Sequence, residues 1–287
     1  MKTYVRALTL TNLDLNFFKK EQEEWYTLLF SLLPNFTLME KMSMAVDLKR
    51  KLYHTFVPAD LIQEDIVPVK NRNAAPCTRW GCKWPKYGPD VIVPYQISAT
   101  YNEIQVSRIT AVLMDIEEKT CVKFVPREEH QDFLYIFSGS GCWSYVGRIG
   151  KQQPLSLKVY YCLNRRIIQH EILHALGFHH EHSRSDRDAF VKIQWNNIID
   201  GKTINFSKFN TINHNISYDY NSVMQYRNTA FSKNGAPTII ANDDAKRVLG
   251  TAQSMSDIDY ARVNRLYECL TLTDMKPLRN HGEIRIY

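Results

Sequence analysis

The sequence has no run of 18 apolar residues, so a transmembrane helix is not expected. It has no block of five Lys/Arg and no arginine–aromatic interleaving, so its net charge of +6 reads as ordinary surface charge and nucleic acid is not an expected partner. The patterns GxGxxG and GxxxxGK[ST] are missing, and the glycine-rich stretch from Ser138 to Gly150 is therefore not read as a nucleotide site. No CxxC pair occurs among the six cysteines, which argues against a zinc knuckle. No internal repeat is visible. Glycine and cysteine are both missing from residues 1–72.

That last absence organises the chain. Residues 1–72 are charged, carry Pro34, Pro58 and Pro68, and read as a leader and propeptide ending in a short extended linker, LIQEDIVPVKNRNAAPC. Arg72–Asn73 is a plausible processing point. The segment Trp25–Leu33 resembles a short signal core, but Glu21, Glu23 and Glu24 precede it, so the start is not a clean secretory signal. From Asn73 the composition changes; 73–270 reads as one domain and 271–287 as a polar tail. The even cysteine count favours three disulfides in an oxidising compartment, hence secretion. Three N-x-[ST] sequons, at Asn35, Asn205 and Asn215, are candidate glycosylation sites. Asp90–Ile97 reads as a buried strand, CVKFVP and DFLYIF as further β-rich runs. Ile104, Ile109, Val112, Leu113 and Ile116 fall near helical spacing. After a second helix over 166–176 the chain is loop-rich until Ser256 and Asp259, whose spacing is that of a capping box before an amphipathic helix.

Histidine is scarce, yet five of the nine lie between His170 and His182. On a helix, His170 and His174 are one turn apart on the same face, with Cβ atoms about 5–6 Å apart. Ile168, Ile172 and Leu176 form a separate apolar stripe. Gly177 tolerates the left-handed conformation that ends a helix, so the chain can turn and bring His180 back toward the pair. Three neutral imidazoles with a fourth position left for water are the ligand set of catalytic zinc, one ion per chain. Glu171 points to a neighbouring direction, where it can act on that water as general base and later as acid to a leaving amine. HExxH alone would arise by chance in roughly one chain in a hundred, and Gly177 with His180 at fixed offsets lowers that about a thousandfold. His179 and His182 are not required as ligands and read as ordinary surface or loop residues.

HExxHxxGxxH is the metzincin signature. The longer string HEILHALGFHHEHSRSDRD resembles the astacin family, matching HExxHxxGFxHExxRxDRD at every fixed position. The resemblance covers about Asn73 to Leu270. It implies an α+β zincin-like fold of two sublobes: a twisted, mostly parallel sheet with two long helices, then a C-terminal sublobe ending in a Ser256–Leu270 helix, with the cleft between them. It implies a zinc endopeptidase acting on protein or peptide substrates, expected as a monomer. SVMQY (Ser222–Tyr226) is similar to the family's SxMHY, which makes Met224 the hydrophobic floor and Tyr226 an additional zinc ligand that swings away to assist catalysis; Gln225 stands where the family usually has His. The resemblance also implies a zymogen, with Glu181 near the mature N-terminus and Asp65 of LIQED as the propeptide residue on the zinc. Against the family's FxGD, Ile62 replaces Phe and Glu64 replaces Gly. By the same likeness Cys121 pairs with Cys269, Cys142 with Cys162, and Cys77 with Cys82, as in the six-cysteine astacins of fishes that include hatching enzymes, which digest the egg envelope. The competing expectation is a non-catalytic zinc-binding protein of an extracellular coat on the same scaffold.

Overall fold

The computed structural model describes residues 61–68 and 82–269, with Thr37, Met39 and Glu40. Backbone packing divides the chain into Met1–Thr55 and Phe56–Tyr287, and every strand and helix that builds the site belongs to the second unit. The signal-like Trp25–Leu33, Asn35, the Arg72–Asn73 processing point, Cys77 and the 271–287 tail lie outside the described residues.

The apolar run Asp90–Ile97 forms β2, with Val91 and Val93 fully buried. β1 (Lys86–Tyr87) pairs antiparallel with its start across Gly88, whose φ of 61° suits a residue without Cβ. β2 pairs in parallel with β3 (Val122–Pro126) and β4 (Phe133–Phe137), and β4 with β6 (Gln152–Leu157); β5 (Cys142–Trp143) runs antiparallel to β6. The sheet is thus mostly parallel, as expected. The crossover from β2 to β3 is α1 (Glu103–Lys119), opened by a capping box between Asn102 and Gln105. Ile109, Val112, Leu113 and Ile116 keep the i, i+3, i+4, i+7 spacing and are buried. Ile104 corrects the expected stripe: it is 67% exposed, because five residues before Ile109 is about 140° around the helix.

α2 (Arg165–Leu176) starts where Asn164 Oδ1 accepts the Ile167 amide at 3.0 Å. Ile168, Ile172, Leu173 and Leu176 are buried, each contributing roughly 1.5–3 kcal/mol of transfer energy. They hold α2 against α1 and the β5–β6 edge. The helix ends at Gly177, φ 114°, whose N–H reaches the Leu173 and His174 carbonyls.

Beyond it the chain is poor in regular structure. β7 (Val191–Ile193) pairs antiparallel with β8 (Ile239–Ala241), and these strands share a small core with Ile198, Phe206, Tyr218 and Leu249. α3 (Asp257–Leu266), assigned from sequence to the C-terminal sublobe, instead packs Tyr260, Val263 and Leu266 into the core of the first. Its apolar face finds its partner there, and the Cys121–Cys269 disulfide ties its end to the start of β3. Cys142–Cys162 joins β5 to the loop before α2. Cys82 is disulfide-bonded as well.

Candidate active site

His170 and His174 lie on the inner face of α2, and the Gly177 turn carries the chain back to His180. Each ring is oriented from behind. His170 Nδ1 lies 3.0 Å from the Val223 carbonyl, His174 Nδ1 2.7 Å from the Phe178 carbonyl, and His180 Nδ1 2.7 Å from Gln63 Oε1. Those oxygens only accept, so each Nδ1 carries the proton and each Nε2 presents a lone pair. Burial, and then the other imidazoles, push His174 well below the usual imidazole range; burial lowers His180 also.

The lone pairs converge. His170 Nε2 is 3.1 Å from His174 Nε2 and 3.2 Å from His180 Nε2. Asp65 Oδ2 is 3.2 Å from His170 Nε2 and 3.1 Å from His180 Nε2. Acceptors this close repel one another unless a proton or cation lies among them. Tetrahedral zinc with nitrogen ligands at about 2.0–2.1 Å has edges of about 3.3–3.4 Å, so the donor set has the size and chemistry for one such ion with Asp65 at the fourth corner. Among the described residues these four are the group that could hold a metal.

Asp65 arrives on a turn, not on the extended linker read from sequence. Ile62 and Ile66 exchange backbone hydrogen bonds at 2.9 and 3.0 Å. Between them Gln63 and Glu64 adopt left-handed φ of 55° and 71°. This is why the similar family pattern has glycine at the second position; here Glu64 takes that conformation at a cost of about 1–2 kcal/mol. The turn is tied to the sheet edge, where Ser144 N–H donates to the Asp65 carbonyl and Val67 N–H to the Ser144 carbonyl. Burial alone would raise the Asp65 carboxyl, but His180 and His170 outweigh it and hold it well below the usual range. Glu171 is also buried, with Oε2 unpartnered; burial, then the Asp65 charge, raise its carboxyl well above the usual range.

Tyr226 donates its hydroxyl to the Gln63 carbonyl at 2.6 Å, with its ring 4.5 Å from His180. Met224 is buried, and its carbonyl accepts the Glu181 amide at 3.0 Å. The turn that carries it hangs on α3: Asp259 accepts from Ser222 Oγ at 2.6 Å and Val223 N at 3.0 Å. Glu181 accepts from both Arg262 terminal nitrogens, at 2.7 and 2.6 Å, and from Asp219 N at 2.7 Å. Gln225 is buried, accepting from the Tyr218 hydroxyl.

Sequence reasoning missed several members of this site. His182, read as a surface residue, is buried; its ring lies 4.0 Å from Tyr226 and its Nε2 3.0 Å from the Asn205 carbonyl. His179 is half-buried and stacks on Phe209 at 4.0 Å. Both offsets fall outside the ligand pattern, which is why the motif says nothing of them. Gln63 and Arg262 carry no local signal; Asp259 was visible only as a helix cap. Asn205 is buried with Oδ1 accepting the Gln63 amide, whereas Asn215 is exposed.

Comparison with known proteins agrees with this geometry. The model of the peptidase family Astacin matches residues 80–268. The low choriolytic enzyme of Oryzias latipes is 43% identical over 213 residues, 73% of this chain and 79% of its own. High choriolytic enzyme 1 of the same fish is 42% identical over 211 residues, 73% of this chain and 78% of its own. The solved structure of that second relative, described as a hatching enzyme zinc-protease, superposes with a TM-score of 0.64 at 42% identity, covering 66% of this chain and 96% of its own.

Proposed function

The chain belongs to the astacin family and is a metalloendopeptidase, and from that premise we propose that it is a secreted, zinc-dependent endopeptidase made as a zymogen. In this reading His170, His174 and His180 hold zinc and Asp65 occupies the fourth position until residues 1–72 are removed. The observation that carries it is the convergence of three lone-pair nitrogens, His174 Nε2 and His180 Nε2 lying 3.1 and 3.2 Å from His170 Nε2, each ring backed by an acceptor on Nδ1. Bound there, zinc supplies Lewis acidity, polarising the scissile carbonyl and making water a nucleophile near neutral pH.

Glu171 takes the proton of the attacking water and passes it to the departing amine. Its raised carboxyl suits the first of these transfers, since a carboxylate of higher pKa is the stronger base toward the proton of the water. Once Gln63 leaves, the Tyr226 hydroxyl is free to donate to the carbonyl oxygen as it gains charge. Met224 is the floor beneath the histidines. Glu181 is the anchor near a mature N-terminus, where a new ammonium would join the Arg262 ion pair. Two disulfides between described residues and the lack of any described helix long and apolar enough to cross a membrane fit an extracellular protein. Because the relatives are named choriolytic and hatching enzymes, the egg envelope is the proposed natural substrate.

The test is casein cleavage by chain processed to remove residues 1–72. Cleavage that a chelator abolishes and zinc restores is expected. Glu171→Gln should retain zinc and lose roughly 10²–10⁴ in turnover. Stoichiometric zinc with no cleavage of any denatured protein would favour the coat-protein reading instead.

A further inference from the structure

Gln63 is 1% exposed, and its carboxamide fills a polar recess behind His180, on the side away from the metal group. Its Oε1 faces His180 Nδ1 at 2.7 Å; its Nε2 donates to Ser183 Oγ at 2.7 Å and to the Asn205 carbonyl at 3.2 Å. The recess thus offers one donor on one wall and two acceptors on the other, the complement of a primary amide. The wall that carries the two acceptors is held without residues 61–68. Ser183 N–H donates to the His180 carbonyl at 3.0 Å, and the Ser183 carbonyl accepts Phe209 N–H at 2.8 Å. Asn205 N–H donates to the Lys202 carbonyl, and its own carbonyl also accepts from His182 Nε2 at 3.0 Å.

We infer that this recess, vacated when the Asp65 segment leaves, is a substrate subsite for a glutamine or asparagine side chain. The inference rests on the endopeptidase reading of the same cleft. With Gln63 gone, the His180 Nδ1 proton loses its acceptor, and Ser183 Oγ and the Asn205 carbonyl each lose one donor, the latter keeping His182 Nε2; leaving buried polar groups short of partners is costly. A substrate carboxamide restores every bond. A carboxylate would set an acceptor against the Ser183 and Asn205 oxygens, and a leucine would pair with none of them. Only Glu64 separates Gln63 from Asp65, which lies at the reacting centre, so the subsite receives a side chain about two residues from the scissile bond.

The experiment uses processed, zinc-loaded protein carrying Glu171→Gln, so that peptides bind without turnover. Fluorescence anisotropy compares peptides in which glutamine, glutamate or leucine is placed in turn at each of three positions on either side of a central bond. At one position the glutamine peptide should bind about tenfold tighter than the other two, the worth of one or two buried hydrogen bonds, and Ser183→Ala should narrow that gap. Equal binding of the three peptides at every position overturns the inference. So does a glutamine preference that Ser183→Ala leaves intact. Casein cleavage by processed protein with intact Glu171 separates the two readings: cleavage without glutamine preference sinks the subsite alone, and glutamine preference without cleavage sinks the endopeptidase.

Discussion

At Asp65 one side chain meets two opposing demands: it is a carboxylate in a buried site, and it faces His170 and His180 at 3.2 and 3.1 Å. If it occupies the fourth zinc position, Asp65→Ala should let unprocessed chain cleave casein at least tenfold faster than unprocessed wild type, as read by release of labelled fragments. Equal latency in both would mean that the rest of the segment, not this carboxylate, blocks the cleft. Asp186 tests a different charge. Arg184 donates to it at 2.9 and 2.8 Å and lowers its carboxyl below the usual range. A carboxyl lowered on folding adds stability above its unfolded pKa and loses it as pH falls through the folded one. Asp186→Asn should therefore lower the urea midpoint at pH 7, and the difference from wild type should shrink as the pH is taken below the usual carboxylate range. A difference constant with pH would mean that the substitution acts by shape alone. The convergence of the histidines was legible at this scale because one helical turn and the glycine after it fix their relative positions. Gln63 and His182 were not, because what makes them matter is a partner far along the chain.

Elements with a strong period were legible in the sequence. β2 spans the expected residues, and α2 begins one residue before its expected start, at the residue after its Asn164 cap. Ile104 shows the limit of reading an apolar residue onto a stripe without counting its angle. The Ile62–Ile66 turn was not legible, since neither Gln63 nor Glu64 is a residue type that announces left-handed backbone. Nor was the allegiance of α3, whose capping box does two jobs. Asp259 accepts the Ser256 amide as a cap and also holds Ser222 and Val223, and Val223 in turn orients His170. Asp259→Ala removes the acceptor for three donors, so it should cost about 1–3 kcal/mol in denaturant unfolding. It should also weaken zinc retention in a competition with chelator. Full retention alongside lost stability would show that the cap and the metal site are not coupled.

Across the whole molecule, the site gathers residues separated by more than a hundred positions: Asp65 reaches His170 and His180, and Gln63 reaches Tyr226. Fold class and the three converging histidines could be read from the motif, but no local pattern encodes how the first core, the Met224 turn and the 61–68 segment meet. The two disulfides between described residues close loops of very different length across this assembly. Cys121–Cys269 spans 148 residues, Cys142–Cys162 only 20. Chain-entropy arithmetic gives about 5 kcal/mol for the longer closure and about 3 kcal/mol for the shorter. The longer one also fastens α3, and through Asp259 the Met224 turn, to the first core. Paired Cys→Ser substitution at 121 and 269 should therefore lower the thermal midpoint more than the same change at 142 and 162, measured without reductant. The larger loss should come with faster release of zinc. If the 142/162 pair proved the costlier, stability would reside in the β5–α2 junction, and the fastening of α3 would not be what holds the metal site together.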